Sequence, residues 1–203
     1  KSNKTLNIIG LSVIDLTTGN GTNYEVYSNP KDKDFSIEES VRFIQTYNPR
    51  EILITTQNID TETELEELFM LMEIGNRVVH IRNDFTEKVY LKKSFQNKFL
   101  GEIFSETGML SPIEYLDLEN KPAALISFVS LLQFCYEHNE NIVQKIRKPE
   151  FWESQKYLIL ENNAIQQLNL VPCGDGSVIN NSRFNSLFSI INHTSTVIGK
   201  RFL

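Results

Sequence analysis

The sequence is short of cysteine, of long apolar runs, of positive charge and of nucleotide- or metal-binding motifs, and each shortage removes a class of explanation. Two cysteines in 203 residues are far enough apart in sequence to pair, but they suggest neither a disulfide framework nor a thiolate metal site. Cys135 falls in an apolar helical pattern and Cys173 in a Gly-rich loop, and both read as reduced thiols of an intracellular protein. No apolar run approaches the ~18 residues needed to cross a bilayer. No signal-peptide apolar region follows the charged start Lys1–Leu6, so a soluble chain with no membrane partner is expected. The formal net charge of −6 argues against a free-standing nucleic-acid binder, whose footprint is a basic face. The charge is uneven: residues 1–120 carry 12 Lys/Arg against 20 Asp/Glu, and residues 121–203 carry 8 against 6. Only the second part is suited to lie near phosphates.

Chemical motifs are equally scarce. No G-x-x-x-x-G-K-[ST] occurs, so this chain by itself has no P-loop. The Gly-rich stretch Cys173-Gly174-Asp175-Gly176-Ser177 follows no strand and precedes no lysine at the needed spacing, and reads as a flexible loop. The histidines His80, His138 and His193 are far apart, with no partner at metal-ligand spacing. His80 falls in a strand pattern and is expected to be a hydrogen-bonded core residue. No G-x-S-x-G or Cys–His arrangement marks a nucleophile. No internal repeat or low-complexity tract is present.

What is present is ordinary globular composition, 40% apolar and 23% charged, in an alternating pattern of elements. Leu6–Leu16 (LNIIGLSVIDL) is β-branched and apolar and predicts a strand buried on both faces. Thr17–Gly21 is turn chemistry, and Tyr24–Ser28 predicts the returning strand of a hairpin. Ser36 followed by Glu39 predicts a capping box opening a helix that Pro49 closes. Glu51–Thr55 predicts a short strand, Thr61–Glu73 a helix with one apolar stripe and an acidic outer face, and Arg77–Ile81 another strand. The order implies an α/β domain with a mixed central sheet flanked by helices, its later strands joined by helical crossovers. Beyond Tyr90 the strand signals nearly stop. Short helices are expected at Phe95–Phe104 and Pro112–Leu118, a strongly apolar buried helix at Pro122–Tyr136, and further helices at Asn162–Leu170 and Ser186–Ile191. The chain opens on Lys rather than Met and ends on the apolar run Val197–Leu203, so a piece of a longer polypeptide is expected, with an exposed apolar patch at that run.

One carboxylate set suggests chemistry. Asp15 ends the first long strand, and Asp60 and Asp84 follow later strands. RNase H-like nucleases gather metal-binding aspartates at such positions, where two metal ions stabilise a phosphoryl transfer. The competing reading makes Asp15, Asp60 and Asp84 strand-end and turn residues, and it is the one adopted here.

Four segments, in order, carry a family resemblance. Gly10–Thr18 (GLSVIDLTT) with Gly19 is similar to a strand that reads Gly, apolar residues, Asp, apolar, Ser/Thr-Thr-Gly. Phe43–Thr55 (FIQTYNPREILIT) supplies a helix ending near Pro and a Glu-led strand. Ala123–Tyr136 (AALISFVSLLQFCY) supplies an apolar helix with an Ala-Ala opening. Leu158–Leu170 and then Ser186–Leu203 (SLFSIINHTSTVIGKRFL), with Thr194, Thr196, Gly199, Arg201 and Leu203, supply the last. Together these resemble the connector and the start of the core of the MutS family of DNA mismatch-repair ATPases. Phe202 and Ile198 depart from the family's usual aliphatics.

The resemblance implies an RNase H-like connector over 1–140 without a nuclease site, then a mostly helical, truncated part of the core/lever domain over 141–203. It implies a non-catalytic relay between mismatch-reading and ATPase/lever parts, with a surface for a MutL-like protein. No catalytic, cofactor-binding or metal-binding residue is expected in this chain. ATP and Mg²⁺ are expected for the longer parent protein, as are mismatched DNA and a homo- or heterodimer partner. The family's mismatch-reading Phe-x-Glu has a superficial echo in Phe151-Trp152-Glu153. That tripeptide lies deep in the chain, so aromatic anchoring of a domain junction is expected instead. The alternative function is the Asp15 nuclease.

Overall fold

The apolar run after residue 7 forms β1 (Ile8–Ile14), which pairs antiparallel with β2 (Gly21–Tyr27) in a register running from Ile8 opposite Tyr27 to Ile14 opposite Gly21. The connection turns at Gly19, whose φ of 75° suits glycine, and closes with Gly19 N–H donating to Asp15 O and Asp15 N–H to Asn20 O, both at 2.8 Å. The computed structural model describes residues 7–32, 34–56, 62–75, 77–82, 90–153, 164, 167–170, 186–196 and 198–199. It forms two compact units, Lys1–Glu153 and Ser154–Leu203.

In the first unit, α1 (Phe35–Tyr47) leads to β3 (Glu51–Ile54), and α2 (Glu62–Leu71) carries the chain from β3 to the parallel strand β4 (Val78–Ile81). The helical stretch follows as α3 (Lys93–Ile103), α4 (Pro112–Tyr115), α5 (Pro122–His138) and α6 (Glu140–Val143). A two-residue strand the sequence does not announce, β5 (Glu150–Phe151), adds parallel to β2. The fold is therefore mixed α/β, with a small mixed sheet in the order β1-β2-β5.

Two features differ from expectation. The central sheet is replaced by two ladders, β1-β2-β5 and β3-β4. Among the described residues no ladder joins β1 to β3. Side chains connect them instead, since Ile9, Ile52, Ile54 and Val79 pack on a shared cluster of Ile44, Met72 and Ile74. The capping box at Ser36 also does not form. Helix α1 begins two residues earlier, with Asp34 at the N-cap, and Asp32 Oδ1 accepts from the N–H groups of Asp34 and Phe35. Glu39 is drawn inward, where Tyr24 Oη donates to it at 3.1 Å and Arg42 ion-pairs with it. The capping box that does form is at α4, with Ser111 and Glu114 bonded reciprocally.

The principal core lies under α5. Phe128, Leu132, Leu100, Leu116 and Leu118 are wholly buried, which is why α5 is apolar nearly all round. The N-terminus of α5 rests against β1 at Gly10. A Cβ there would lie 2.7 Å from Ala124 N and closer still to the Ala123 carbonyl. Glu25, directly opposite Gly10 on β2, accepts from Ala124 N–H at 2.9 Å. A carboxylate from a neighbouring strand thus caps a first-turn donor that has no partner within the helix.

The second unit is described only in pieces. Its α7 (Leu187–Ile191) is capped by Ser186 Oγ, which accepts from Ser189 N–H at 3.1 Å. No residue of α7 is buried, and Leu168, Leu187, Ile191 and Ile198 are exposed. Ile198 is 80% exposed and is the one apolar residue of Val197–Leu203 within the described residues. Cys173 and, of the expected helix Asn162–Leu170, residues 162, 163, 165 and 166 lie outside them. Among the described residues no helix is long and apolar enough to cross a membrane.

Candidate functional site

The carboxyl end of β1 and the amino end of β3 flank a cleft of about 690 Å³ within the first unit. Val13, Leu53, Leu131 and Phe134 give it apolar walls, while Asp15, Arg50, Glu51 and His80 bring polar groups. The size falls in the range of small-molecule pockets, so the chemistry of those groups decides what the cleft can do.

Asp15 is committed to the turn. One carboxylate oxygen accepts from Thr17 N–H at 2.9 Å and from the Thr17 hydroxyl at 2.6 Å, and the other from the Thr18 hydroxyl at 3.0 Å. These bonds, the Thr17 hydroxyl foremost, hold its carboxyl below the usual carboxylate range. This is the arrangement of an Asx turn. Asp60 and Asp84 lie outside the described residues. Among the described residues no three His, Cys, Asp or Glu side chains gather as a metal site would require.

His80 is not a core residue. Its side chain is 35% exposed, and Nε2 lies 3.1 Å from Glu51 Oε2. The ring tilts against Phe134 with centroids 5.0 Å apart, and Phe134 in turn meets His138 at 4.3 Å. The β3–β4 register places Leu53 opposite His80, so Glu51 is its diagonal neighbour on one face. That pairing was findable in the sequence once the two strands were set parallel. Cys135 is buried at the cleft wall, and burial pushes its thiol up to about 11, with the Glu51 charge adding to the effect. A thiol so raised stays protonated and is a poor nucleophile at neutral pH.

Trp152 stands at the end of the first unit. Its ring meets Phe43 edge-on at 5.5 Å and tilts over Tyr47 at 5.7 Å, and its backbone N–H donates to Asn23 O at 2.9 Å, extending the β2–β5 pairing. Phe151 carries Lys121 Nζ over its ring at 3.1 Å from the centroid. Both aromatic side chains of Phe151-Trp152-Glu153 are thus packed within the first unit. Of the segment resembling the MutS core, Thr194 and Thr196 form local turns, with Gly199 N–H donating to Thr196 Oγ1 at 3.0 Å. Arg201 and Leu203 lie outside the described residues.

No family model matches the chain. Among curated proteins it is similar to a DNA mismatch repair protein mutS homologue of Acanthamoeba polyphaga mimivirus, 36% identical over 221 aligned positions that cover 99% of this chain and 19% of that protein. It is similar also to the DNA mismatch repair protein MutS of Petrotoga mobilis, 23% identical over 97% of this chain and 21% of that protein. A third is MutS of Caldicellulosiruptor bescii, 27% identical over 95% of this chain and 18% of that protein. The chain spans about a fifth of the length of the curated relatives it matches. The likeness covers nearly the whole of this sequence in all three. The chain belongs to the MutS family of DNA mismatch-repair proteins.

Proposed function

We propose that the chain is the connector and the beginning of the core of a MutS-type protein, and that it relays between the mismatch-reading and ATPase parts without catalysing a reaction. In this reading the first unit has the RNase H-like plan of a connector and offers a surface to a MutL-like partner. The parent protein binds mismatched DNA, pairs with an identical or related subunit, and uses ATP and Mg²⁺. The observation that carries the reading is the seat of α5 on β1. Gly10 admits the Ala123 and Ala124 backbone, and Glu25 caps the helix from the neighbouring strand. A relay needs a close-packed element that moves as a body, and this seat supplies one. No step of ATP hydrolysis is assigned to the chain, because its sequence holds no P-loop.

The nuclease alternative is not favoured, since both Asp15 carboxylate oxygens serve the turn. Fluorescence anisotropy with a heteroduplex at physiological salt tests the relay reading. The isolated chain is expected to bind weakly and without preference for the mismatch. Tight, mismatch-selective binding sinks the reading. Incubation of labelled duplex with Mg²⁺ or Mn²⁺ is expected to leave it intact, and cleavage lost in Asp15→Asn would instead establish the nuclease.

A further inference from the structure

Helix α2 buries one side and exposes the other. Leu68 and Phe69 pack on Ile44, Met72 and Ile74. Outward stand Glu64, Glu66 and Glu67 with Met70 and Leu71, the last two 72% and 57% exposed. At helical spacing Glu66 neighbours Met70, and Glu67 neighbours both Met70 and Leu71, so apolar and acidic groups share one surface. The favourable field of the helix N-terminus accounts for acids in the first turn only, and Glu66 and Glu67 lie beyond it. Among the described residues none of Glu64, Glu66 and Glu67 has an ion-pair or hydrogen-bond partner. The like charges of Glu64 and Glu67, three residues apart, oppose the helix until a cation meets them.

We infer that the outer face of α2 is a docking surface for a basic amphipathic protein helix, with lysines or arginines meeting Glu64, Glu66 and Glu67 and an apolar stripe covering Met70 and Leu71. Charge selects this occupant over the others. Nucleic acid and anionic membrane are repelled by the carboxylates. A second copy of the chain laid face to face would set the same carboxylates against each other. A cationic helix gains from both halves of the surface, and helix-on-helix recognition through anchors three and four apart is a standard mode. The inference rests on the relay reading only in that it gives the proposed partner surface a place and a chemistry.

The three methionines, Met70, Met72 and Met109, make the test direct. The chain is labelled at the methionine methyl groups and titrated, in an NMR experiment, with a short amphipathic helix of lysine and leucine. Met109, fully exposed elsewhere, is the control for non-specific binding, and Met72, buried at 9% exposure, reports that the fold is intact. The expected result is a saturable shift at Met70 with Met109 still. Binding should weaken as salt rises and fall about tenfold in Glu66→Lys/Glu67→Lys, with Met72 unmoved. Met70→Gln keeps the charge and removes the apolar anchor, and should weaken binding independently. Parallel shifts at Met109 and Met70, no saturable shift at Met70, or undiminished binding in the charge-reversed variant overturns the inference. If any of these occurs while heteroduplex binding stays weak, the α2 surface is wrong and the relay reading stands.

Discussion

Replacing Gly10 by alanine adds one methyl group, and its cost follows from where that group must go. A Cβ at Gly10 would sit 2.7 Å from Ala124 N and closer to the Ala123 carbonyl. Both neighbours are backbone of the first turn of α5, so no rotamer change relieves the clash and the helix must move off the strand. That movement also lengthens the bond from Ala124 N–H to Glu25 and loosens the wholly buried Phe128 and Leu132. Overpacking against side chains costs about 1–3 kcal/mol. Against a fixed backbone, with a helix cap disturbed, about 3 kcal/mol or more is expected for Gly10→Ala. Two other glycines serve as controls. Gly101, in α3, would meet only Pro112 Cγ at 3.5 Å, an ordinary contact, so Gly101→Ala should stabilise by roughly 0.5–1 kcal/mol through helix propensity. Gly108 has open space around it but a φ of 64°, so Gly108→Ala should cost about 1 kcal/mol from backbone conformation alone.

Urea and thermal denaturation, followed by fluorescence of the single tryptophan, Trp152, and by far-ultraviolet circular dichroism, rank the three. At roughly 2–4 °C per kcal/mol for a chain of this size, Gly10→Ala should lower Tm by about 6–12 °C while Gly101→Ala raises it slightly. A Gly10→Ala protein within about 0.5 kcal/mol of the parent would refute the close seat of α5 on β1, and with it the observation that carries the proposed relay.

Three further outcomes follow from single side chains. Trp152→Ala should cost about 3–4 kcal/mol, because it empties the space against Phe43 and Tyr47. Trp152→Phe should cost much less, since it keeps a ring there and deletes an indole N–H that is buried without a partner among the described residues; equal losses in the two denaturation curves would contradict this. In a Cys173→Ser background, Cys135 should react with a disulfide reagent at pH 8 only as fast as the protein opens, because burial keeps its thiol protonated; reaction at the rate of a free thiol would show the site to be open. Ser111 lowers the native pKa of Glu114 through its backbone N–H and its side chain, so that contribution to stability is present above the ordinary Glu value of 4.5 and disappears as pH falls through the lower native value. Glu114→Gln should flatten that part of the acid limb of Tm against pH, and an unchanged acid limb would deny Glu114 the role.

What could be read along the chain was whatever depends on near neighbours. The strand of β1 shows in its β-branched run, α5 in its unbroken apolar content, and the crossover of α2 in its one-sided stripe. The misreadings occur where a distant partner outcompetes a local one. Ser36 and Glu39 have capping-box spacing, but Tyr24 on β2 and Arg42 take the Glu39 carboxylate, and Asp32 closes the helix start instead. The apolar neighbours Val78, Val79 and Ile81 make His80 look buried, yet β4 is four residues long and Glu51 holds the ring at the cleft. β5 is two residues long, too short for any period to reveal.

The candidate site was legible to the same degree and for the same reason. Asp15-Leu16-Thr17-Thr18-Gly19 reads first as a turn, but a carboxylate at a strand end also suits a metal site, so the sequence keeps both in view. The geometry separates them, with both carboxylate oxygens taken by Thr17 and Thr18 before any ligand arrives. Gly10 and the Ala123–Ala124 pair stand out in the sequence as separate small-residue marks, each with a local excuse, one in a strand and one at a helix start. Only the tertiary contact makes them one feature, since a strand without a Cβ and a helix turn without long side chains are what let two backbones meet. Glu25, which no local pattern singles out, completes that contact by capping the helix from across the hairpin, and it is therefore the residue whose importance the structure adds.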